Sequence, residues 1–534
     1  MRKLSVLALV AFLITALAPV GQTSSVGTLS LVRVKPRSAS EAALLMNSFD
    51  ETHNHGTDHI ELLTWPGDLA RLQDLGVDYE ITVPDVVARD AALADGPIRS
   101  VPIPGPDLTD YRRLPDYERE MKELVSKNKS FIKLLTLPEK SLEGRTVYGL
   151  ELGTKPGVKD GRPIFYMDAV HHAREWPASE FTMIYAHYLA EKFGKDKAVT
   201  RLLKKARVIL IPVVNVDGFD YSREAPDSQN RTVSNNSDLL GAQNGFEGYW
   251  RKNRRSLTGV TVPVAQKNPD AYGVDPNRNY AYEWGDTHGG SSGDRTYATY
   301  RGDAPFSEPE TRNVRSIVLG RSVTGVITNH TYQNSVLQSG GDKAPDVKTI
   351  IAIGQKMADV MGYTNQASVG YPTTGTTDDW AYAAIGSLGF TIEHGRINFH
   401  PPYSTGVLEH ANNVMKAFTI MAEVSANPKY HSIVSGKVVK GGRPVKATLT
   451  FKKSFTTPLS PGNPIGKKSV SESVKVVSGT KGNGSFAQHI GPSKRPFGPA
   501  SEIYTLVVSA GGKSKTIRVK VRRGQRLNLG TIRL

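Results

Sequence analysis

The chain has 534 residues, no cysteine and a formal net charge of +16. This length allows several domains, and a hydrophobic content of 39% is typical of globular folding. The lack of cysteine excludes disulfides and thiolate ligands, so any metal site must use histidine, aspartate or glutamate.

Residues 1–24 are predicted to be an export signal peptide. Arg2 and Lys3 precede a mostly apolar run from Leu4 to Val20, and small residues follow this run. The run barely reaches the length that crosses a membrane. We therefore expect cleavage before about Ser25, a secreted protein, and no membrane anchor after cleavage.

Residues 25–106 are predicted to form a small α/β domain that ends in a linker. Alternating apolar residues predict strands, and the intervening segments predict helices, the first with Ser40 as its N-cap. The linker is the proline-rich stretch 102–106. The predicted strands are 29–34, 58–63 and 79–83, and the predicted helices are 41–48 and 69–75.

Residues 107–427 are predicted to form a larger α/β domain with a mixed sheet flanked by helices. Short, almost wholly apolar runs indicate strands that are buried on both faces, as in a sheet covered by helices. Helical spacing of apolar residues follows Pro177, and a second helix is predicted to begin near Pro115. The apolar runs are 164–170, 208–214, 323–327 and 388–392.

Residues 433–534 are predicted to form an all-β sandwich, because four short strand patterns alternate with glycine-rich turns. This segment has 20 Lys and Arg against two Glu, so its charge of +18 leaves the rest of the chain at −2. Clustered positive charge attracts polyanions, and no DNA-binding motif is visible. We expect an acidic cell-wall polymer as partner and no nucleic acid. The alternative is that the lysines only discourage aggregation of strand edges.

A histidine and a glutamate three residues apart, in His172-Ala-Arg-Glu175, can reach one metal ion. His172 has this spacing, whereas His171 does not. His330 follows another apolar run and is a third candidate ligand. Three protein ligands leave one position of a tetrahedral zinc site open, which is typical of a catalytic site. The pattern therefore predicts metal-assisted hydrolysis.

Three polar residues each closely follow a predicted strand: His172, His330 and Glu393. Open α/β sheets place their functional sites beyond the carboxyl ends of the strands. We therefore expect these residues, although distant in sequence, to meet at one edge of one sheet.

With these residues assembled, the chain from about 108 to 427 resembles the zinc metallocarboxypeptidases of the carboxypeptidase A/B family, of the bacterial secreted type. Several motifs match in order, which makes the resemblance specific. They are 214–219, His172-Ala-Arg-Glu175-Trp176, Trp250-Arg251-Lys252, Gly273 to Asn279, His330-Thr-Tyr332, Tyr371 and Phe390-Thr-Ile-Glu393.

The resemblance implies one Zn²⁺ ion per chain and a role for each matching residue. His172, Glu175 and His330 would bind the metal, and Asp275 would orient His172. Glu393 would be the general base, and Arg251 would stabilise the charge that develops on the scissile carbonyl. The C-terminal carboxylate of the substrate would be held by Asn277, Arg278 and Tyr371, with Arg174 as an auxiliary contact.

The resemblance also bears on specificity. Asp378 occupies the position at which family members with an acid favour a C-terminal Lys or Arg, and a buried carboxylate needs such a partner. A basic preference, a dual basic and hydrophobic preference, and a hydrophobic preference all stay open. Asp379 is expected to form structural hydrogen bonds.

The flanking segments resemble known appendages of this family. Residues 25–106 resemble a carboxypeptidase prosegment, which implies a zymogen, with Arg89 and Arg99 as candidate cleavage points. The C-terminal segment resembles regulatory-like β-sandwich modules. We expect a secreted exopeptidase acting on C-terminal peptide bonds of peptides and proteins. The alternatives are a cell-wall peptidase that cuts peptidoglycan stems, a metal-bearing binding protein and, less favoured, a deacylase of small amino acids.

Overall fold

The computed structural model describes residues 28–534 except 56–57, 95–102, 107, 109, 225–246, 257–272, 287–289, 341–345, 368–372, 397 and 493–500. The predicted signal peptide, Arg99 and Tyr371 lie outside the described residues. Three units follow one another along the chain. None of the helices in the described ranges has both the length and the hydropathy needed to cross a membrane.

The N-terminal domain is an antiparallel sheet of order β2-β3-β1-β4 with helices packed against it. Its first helix begins earlier than predicted, because Ser38 rather than Ser40 is the N-cap and accepts a hydrogen bond from the backbone N–H of Glu41 at 3.1 Å. The elements are β1 (Ser30–Val34), α1 (Ala39–Ser48), β2 (Asp50–His55), β3 (Ile60–Thr64), α2 (Asp68–Asp74), β4 (Tyr79–Val83) and α3 (Val86–Ala94).

The central domain is an eight-stranded mixed sheet of order β11-β10-β12-β9-β7-β8-β6-β5, flanked by helices. This is the predicted fold class. The strands are β5 (Ile132–Thr136), β6 (Tyr148–Leu152), β7 (Ile164–Ala169), β8 (Arg207–Ile211), β9 (Val323–His330), β10 (Ser335–Gln338), β11 (Thr364–Gln366) and β12 (Leu388–Glu393). The helices are α4 (Leu114–Lys127), α5 (Trp176–Lys192), α6 (Lys197–Lys205), α7 (Val216–Glu224), α8 (Pro309–Gly320), α9 (Val347–Met361), α10 (Thr377–Ile385) and α11 (Glu409–Ala426).

The four central strands β8, β7, β9 and β12 run parallel and are buried along their whole length. Their apolar residues face helices on both sides, which explains the continuous apolar runs in the sequence. Strand β8 ends at Ile211, three residues before the predicted end, because Pro212 has no N–H to donate to a sheet. The carboxyl ends of β7, β9 and β12 meet at one edge.

The C-terminal domain consists of two four-stranded sheets, one with the order β16-β15-β18-β19 and one in which β14, β17 and β20 surround β13. Its buried side chains and those of the central domain form one continuous apolar core. The strands are β13 (Ser432–Lys440), β14 (Arg443–Pro444), β15 (Thr448–Pro458), β16 (Ser469–Gly479), β17 (Ser485–Ile490), β18 (Ser501–Ala510), β19 (Lys513–Arg522) and β20 (Arg526–Arg533).

The C-terminal domain is attached to helix α10 by three polar residues. The buried carboxylate of Glu472 accepts hydrogen bonds from the indole N–H of Trp380, at 3.2 Å from each oxygen. At the end of the helix, Lys453 donates to the carbonyl of Ala384 at 3.0 Å and Arg523 to that of Gly386 at 2.8 Å. Cations are favourable at this end because the last carbonyls of a helix lack partners within it.

Candidate active site

The three candidate metal ligands lie together at the carboxyl edge of the sheet. The chain leaves β7 at Ala169 and reaches Glu175, the residue immediately before α5, so that both ligands of the motif lie beside the last residue of β9, His330. The two oxygens of Glu175 lie 2.7 Å from Nδ1 of His172 and 2.8 Å from Nδ1 of His330. One ligand atom from each of the three residues lies within 4.8 Å of the others, and all three residues are buried.

This geometry suits a small metal ion with nitrogen and oxygen ligands. The Nδ1 atoms of His172 and His330 are 3.2 Å apart. Zinc–nitrogen bonds of about 2.0–2.1 Å at the tetrahedral angle separate two nitrogens by about 3.3 Å. His171 takes no part in this group, since its Nε2 lies 2.8 Å from the hydroxyl of Tyr280 and 3.0 Å from that of Thr377.

Asp275 connects one ligand to an arginine. Its Oδ1 lies 3.1 Å from Nε2 of His172, on the side of the ring opposite the ligand nitrogen. Its Oδ2 accepts from Nη2 of Arg251 at 3.0 Å. Burial alone would raise the pKa of Asp275, but the positive charges of Arg251 and His172 hold this pKa well below its ordinary value. The carboxylate therefore stays ionised and fixes the orientation of the His172 ring.

Glu393 is the last residue of β12, and its Cα is directly paired with that of His330 on β9. Only 2% of the residue is exposed. Burial raises the pKa of the Glu393 carboxyl to about 7, although the positive charges of His330 and Arg251 lower it. A carboxyl group with a pKa near 7 can both accept and donate a proton near neutral pH.

Two further candidate residues, Asn277 and Arg278, lie in the short helical turn after Asp275. Nδ2 of Asn277 lies 3.3 Å from Nε2 of His330, and its Oδ1 accepts from the backbone N–H of Thr377 at 3.1 Å. Arg278 is 2% exposed, and its Nη1 donates to the carbonyl of Asn277 at 2.9 Å. The site thus contains two buried guanidinium groups, those of Arg251 and Arg278, whose positive charges both act on Asp275. Tyr371, the remaining predicted carboxylate contact, lies outside the described residues.

Arg174 is paired with the N-terminal domain. Its guanidinium donates through Nη1 and Nη2 to the two oxygens of Asp50 on β2, the second at 2.7 Å, and lies 4.1 Å from the centre of the Phe399 ring. Nearby, the hydroxyl of Tyr332 donates to Glu61 at 3.2 Å. Through Asp50 and Glu61, strands β2 and β3 therefore pack against the residues that follow β7 and β9, next to the candidate metal ligands.

Asp378 lies in the first turn of α10 and is 5% exposed. It is hydrogen-bonded to the hydroxyls of Thr376 and Thr391, the second of which lies on β12 two residues before Glu393. Burial raises the pKa of Asp378. The neighbouring Asp379 accepts from the backbone N–H of Gly340 at 2.6 Å, which is a structural contact.

Sequence reasoning did not identify three residues that contact the candidate site residues or the helix of Asp378: Asp50, Thr391 and Glu472. Asp50 had no local signal, since its partner is 124 residues away. Thr391 does have a local sequence signal: it is two residues before Glu393, so the two-residue period of a strand places both on the same face of β12. Glu472 also has a local sequence signal, because it is an acidic residue at a position of β16 that the alternation of the strand places in the interior.

A buried His-Glu-His group with an adjacent carboxylate, at the carboxyl edge of a mixed α/β sheet, defines a metallohydrolase-type site. The profile of the zinc carboxypeptidase family matches residues 117–415. The chain belongs to this family, whose cofactor is zinc.

Two animal carboxypeptidases are similar in sequence. Bovine carboxypeptidase B is 28% identical over 345 residues, which cover 62% of this chain and 73% of the bovine protein. Rat mast cell carboxypeptidase A is 27% identical over 288 residues, which cover 51% of this chain and 60% of the rat protein.

Two crystal structures share the fold. Thrombin-activatable fibrinolysis inhibitor superimposes with a TM-score of 0.56 at 19% identity, over 75% of this chain and 99% of that chain. The carboxypeptidase A of Helicoverpa armigera superimposes with a TM-score of 0.59 at 20% identity, over 75% of this chain and 98% of the Helicoverpa chain.

Proposed function

We propose that this zinc carboxypeptidase is a secreted enzyme that releases the C-terminal residue of peptides and proteins, with a basic or a dual basic and hydrophobic preference. The observation that carries the preference is the buried carboxylate of Asp378, which lies beside Thr391 on the strand of Glu393. An ionised carboxylate at that depth requires a positive partner, which a C-terminal Lys or Arg would supply.

The residues would share the chemistry as follows. When held by His172, Glu175 and His330, the zinc ion supplies a Lewis acid that polarises the scissile carbonyl and acidifies water. Glu393 takes a proton from the attacking water and passes it to the leaving amine. Burial raises the pKa of Glu393, which helps the carboxyl to hold the proton between the two steps, whereas the positive charge of the zinc ion would lower this pKa.

Arg251 stabilises the negative charge that develops on the carbonyl oxygen, and Asp275 fixes the guanidinium for this task at 3.0 Å. Arg278 and Asn277 hold the terminal carboxylate of the substrate, together with Tyr371. Arg174 becomes an auxiliary carboxylate contact once Asp50 has left it.

The N-terminal domain is proposed to be the prosegment of a zymogen. Asp50 supplies to Arg174 the carboxylate that a substrate would bring, and the two oxygens match the guanidinium in a bidentate pair. Removal of this domain after export, by cleavage in the linker that follows α3, would open the site. Arg89 lies within α3 rather than in the linker, so cleavage there would have to break a helix.

Hydrolysis of a peptide panel tests the proposal. Peptides ending in Arg, Lys, Phe, Leu or Glu would be incubated with the zinc-loaded enzyme after limited proteolysis of the N-terminal domain, next to purified peptidoglycan stems. Release of Arg and Lys supports a basic preference, and additional release of Phe and Leu supports a dual one. Cleavage of stems alone would replace this function with that of a cell-wall peptidase. No cleavage by a protein with bound zinc would favour a binding role.

A further inference from the structure

The outer face of one sheet of the C-terminal domain carries basic and no acidic side chains. This cationic face belongs to the sheet β16-β15-β18-β19 and consists of Lys452, Lys475, Arg518, Lys520 and Arg522, all exposed. The two acidic residues of these strands, Glu472 and Glu502, occupy inner positions, since Glu472 is buried and Glu502 is paired with the buried Val521.

The strand register arranges these cations in two lines. One line crosses the sheet. On adjacent strands, Lys475 pairs with Lys452, Lys452 with Thr505, and Thr505 with Arg518. This row crosses all four strands, over about 14 Å at a strand spacing of about 4.8 Å. Along β19, Arg518, Lys520 and Arg522 follow at every second residue, which corresponds to steps of about 6.8 Å.

The positive charge on this face is not neutralised within the described part of the chain. None of the five side chains forms an ion pair with a described carboxylate, whereas the inner Lys453 pairs with Glu502 at 3.6 Å. Like charges directly opposite each other destabilise a sheet, and Lys452 and Lys475 are such a pair. Protection of a sheet edge does not explain Lys452, because β15 lies between two other strands.

The cationic face is also open. Glu472 and Lys453, which contact the central domain, lie on the opposite face of the same sheet. The outer face is therefore turned away from the central domain. Hydroxyl side chains surround the cations and can donate hydrogen bonds to anionic oxygens; among them are Thr450, Ser454, Ser471, Ser473 and Thr505.

We infer that the cationic face binds a linear polymer with repeated phosphate or carboxylate groups, of the kind exposed on cell walls. Two lines of cations, one across the strands and one along β19, match a chain of repeated anions better than a single small anion, and charge complementarity supplies the attraction. The face lies outside the candidate active site, so this inference does not depend on the proposed peptidase activity.

Binding of the full chain to two immobilised polymers, poly(glycerol phosphate) and polygalacturonate, tests the inference. A variant with Lys452→Gln, Lys475→Gln and Arg518→Gln is compared with a variant of equal charge, Lys133→Gln, Lys205→Gln and Lys356→Gln, whose three lysines are exposed on the central domain. Thermal unfolding shows whether each variant is folded.

We expect the affinity of the first variant to fall at least about tenfold. The slope of log affinity against log salt concentration should become less negative by up to about three, one for each cation removed. The control variant should keep most of the wild-type affinity and most of the wild-type salt dependence. Preference for one polymer assigns the anion as phosphate or carboxylate. Equal losses in the two variants, tighter binding of duplex DNA than of either polymer, or no binding by the wild type would each overturn the inference.

Discussion

Asp50 of the N-terminal domain and Arg174 of the central domain form a bidentate ion pair from which solvent is excluded, with 1% and 0% of their side chains exposed. Arg174 lies between His172 and Glu175 in the motif that contains two of the candidate metal ligands. The domain that covers the site is therefore attached within the metal-binding motif itself.

Replacing Asp50 by asparagine in the full-length protein should increase activity. Loss of one partner of a buried charge pair at an interface costs about 2–5 kcal/mol, so the covering domain would leave the site more often. Because about 1.4 kcal/mol corresponds to a factor of ten, we expect kcat/KM for a peptide ending in Arg to rise at least about tenfold.

The matched control is Asp58→Asn in the same domain, where the carboxylate is exposed and pairs with Lys35 at 3.4 Å. This variant should behave like the wild type. If Asp50→Asn and Asp58→Asn give the same activity, the Asp50–Arg174 pair does not restrict access to the site.

Replacing Glu393 by glutamine should remove proton transfer while leaving the metal ligands unchanged. We expect kcat to fall by about 10²–10⁴-fold with the zinc content unaltered. Metal analysis and peptide hydrolysis measure the two quantities. Glu423→Gln, at an exposed position on α11, serves as control. A variant that keeps more than a tenth of the wild-type kcat would exclude Glu393 as the general base.

Specificity should depend on pH through Asp378. Burial raises the pKa of this carboxyl, so in the free enzyme it ionises only above its ordinary range. Its negative charge attracts a cationic side chain, and therefore the ratio of kcat/KM for Arg over Phe substrates should increase as pH rises through this pKa. The ratio cancels the titration of Glu393, which both substrates share. In Asp378→Asn the ratio should be lower and independent of pH, and a rising ratio in that variant would contradict the assignment.

Replacing Glu472 by alanine should destabilise the protein, because this residue of the C-terminal domain is bonded to two residues of the central domain. Its carboxylate is paired with Arg315 at 3.2 Å and with the indole of Trp380. The carboxylate is buried but Arg315 is 31% exposed, so its guanidinium can be hydrated in the variant, and the main loss is the buried acceptor of the indole N–H. We expect the free energy of unfolding to fall by about 1–3 kcal/mol, which urea denaturation would measure.

Glu472→Gln keeps an acceptor for the indole and should cost less than the alanine variant. Ser473→Ala, at the adjacent exposed position, should be close to neutral. Equal stability of Glu472→Ala and Ser473→Ala would mean that the contact with α10 contributes nothing to the fold.

The sequence predicts which residues meet when their approach follows from local spacing or from their position at the end of a strand. The candidate ligands His172 and Glu175 are three residues apart, and both His330 and Glu393 end a strand, so periodicity and strand order are enough to predict that they meet. Asp50 and Arg174 belong to different domains, and nothing in local periodicity specifies how two folded domains dock. For the same reason the C-terminal domain could be predicted as a sandwich, whereas its contact with the helix of Asp378 could not.

The continuous core of the central and C-terminal domains has a consequence for folding. Phe451 and Leu506 of the sandwich belong to the same buried cluster as Tyr166 and Ile327 of the large sheet. Val32 and Leu62 of the N-terminal domain belong to a smaller cluster that also contains Leu337 of β10. The two domains are consecutive along the chain and divide near residue 430, but they share one core and should unfold cooperatively. We expect the two larger domains to melt in a single transition.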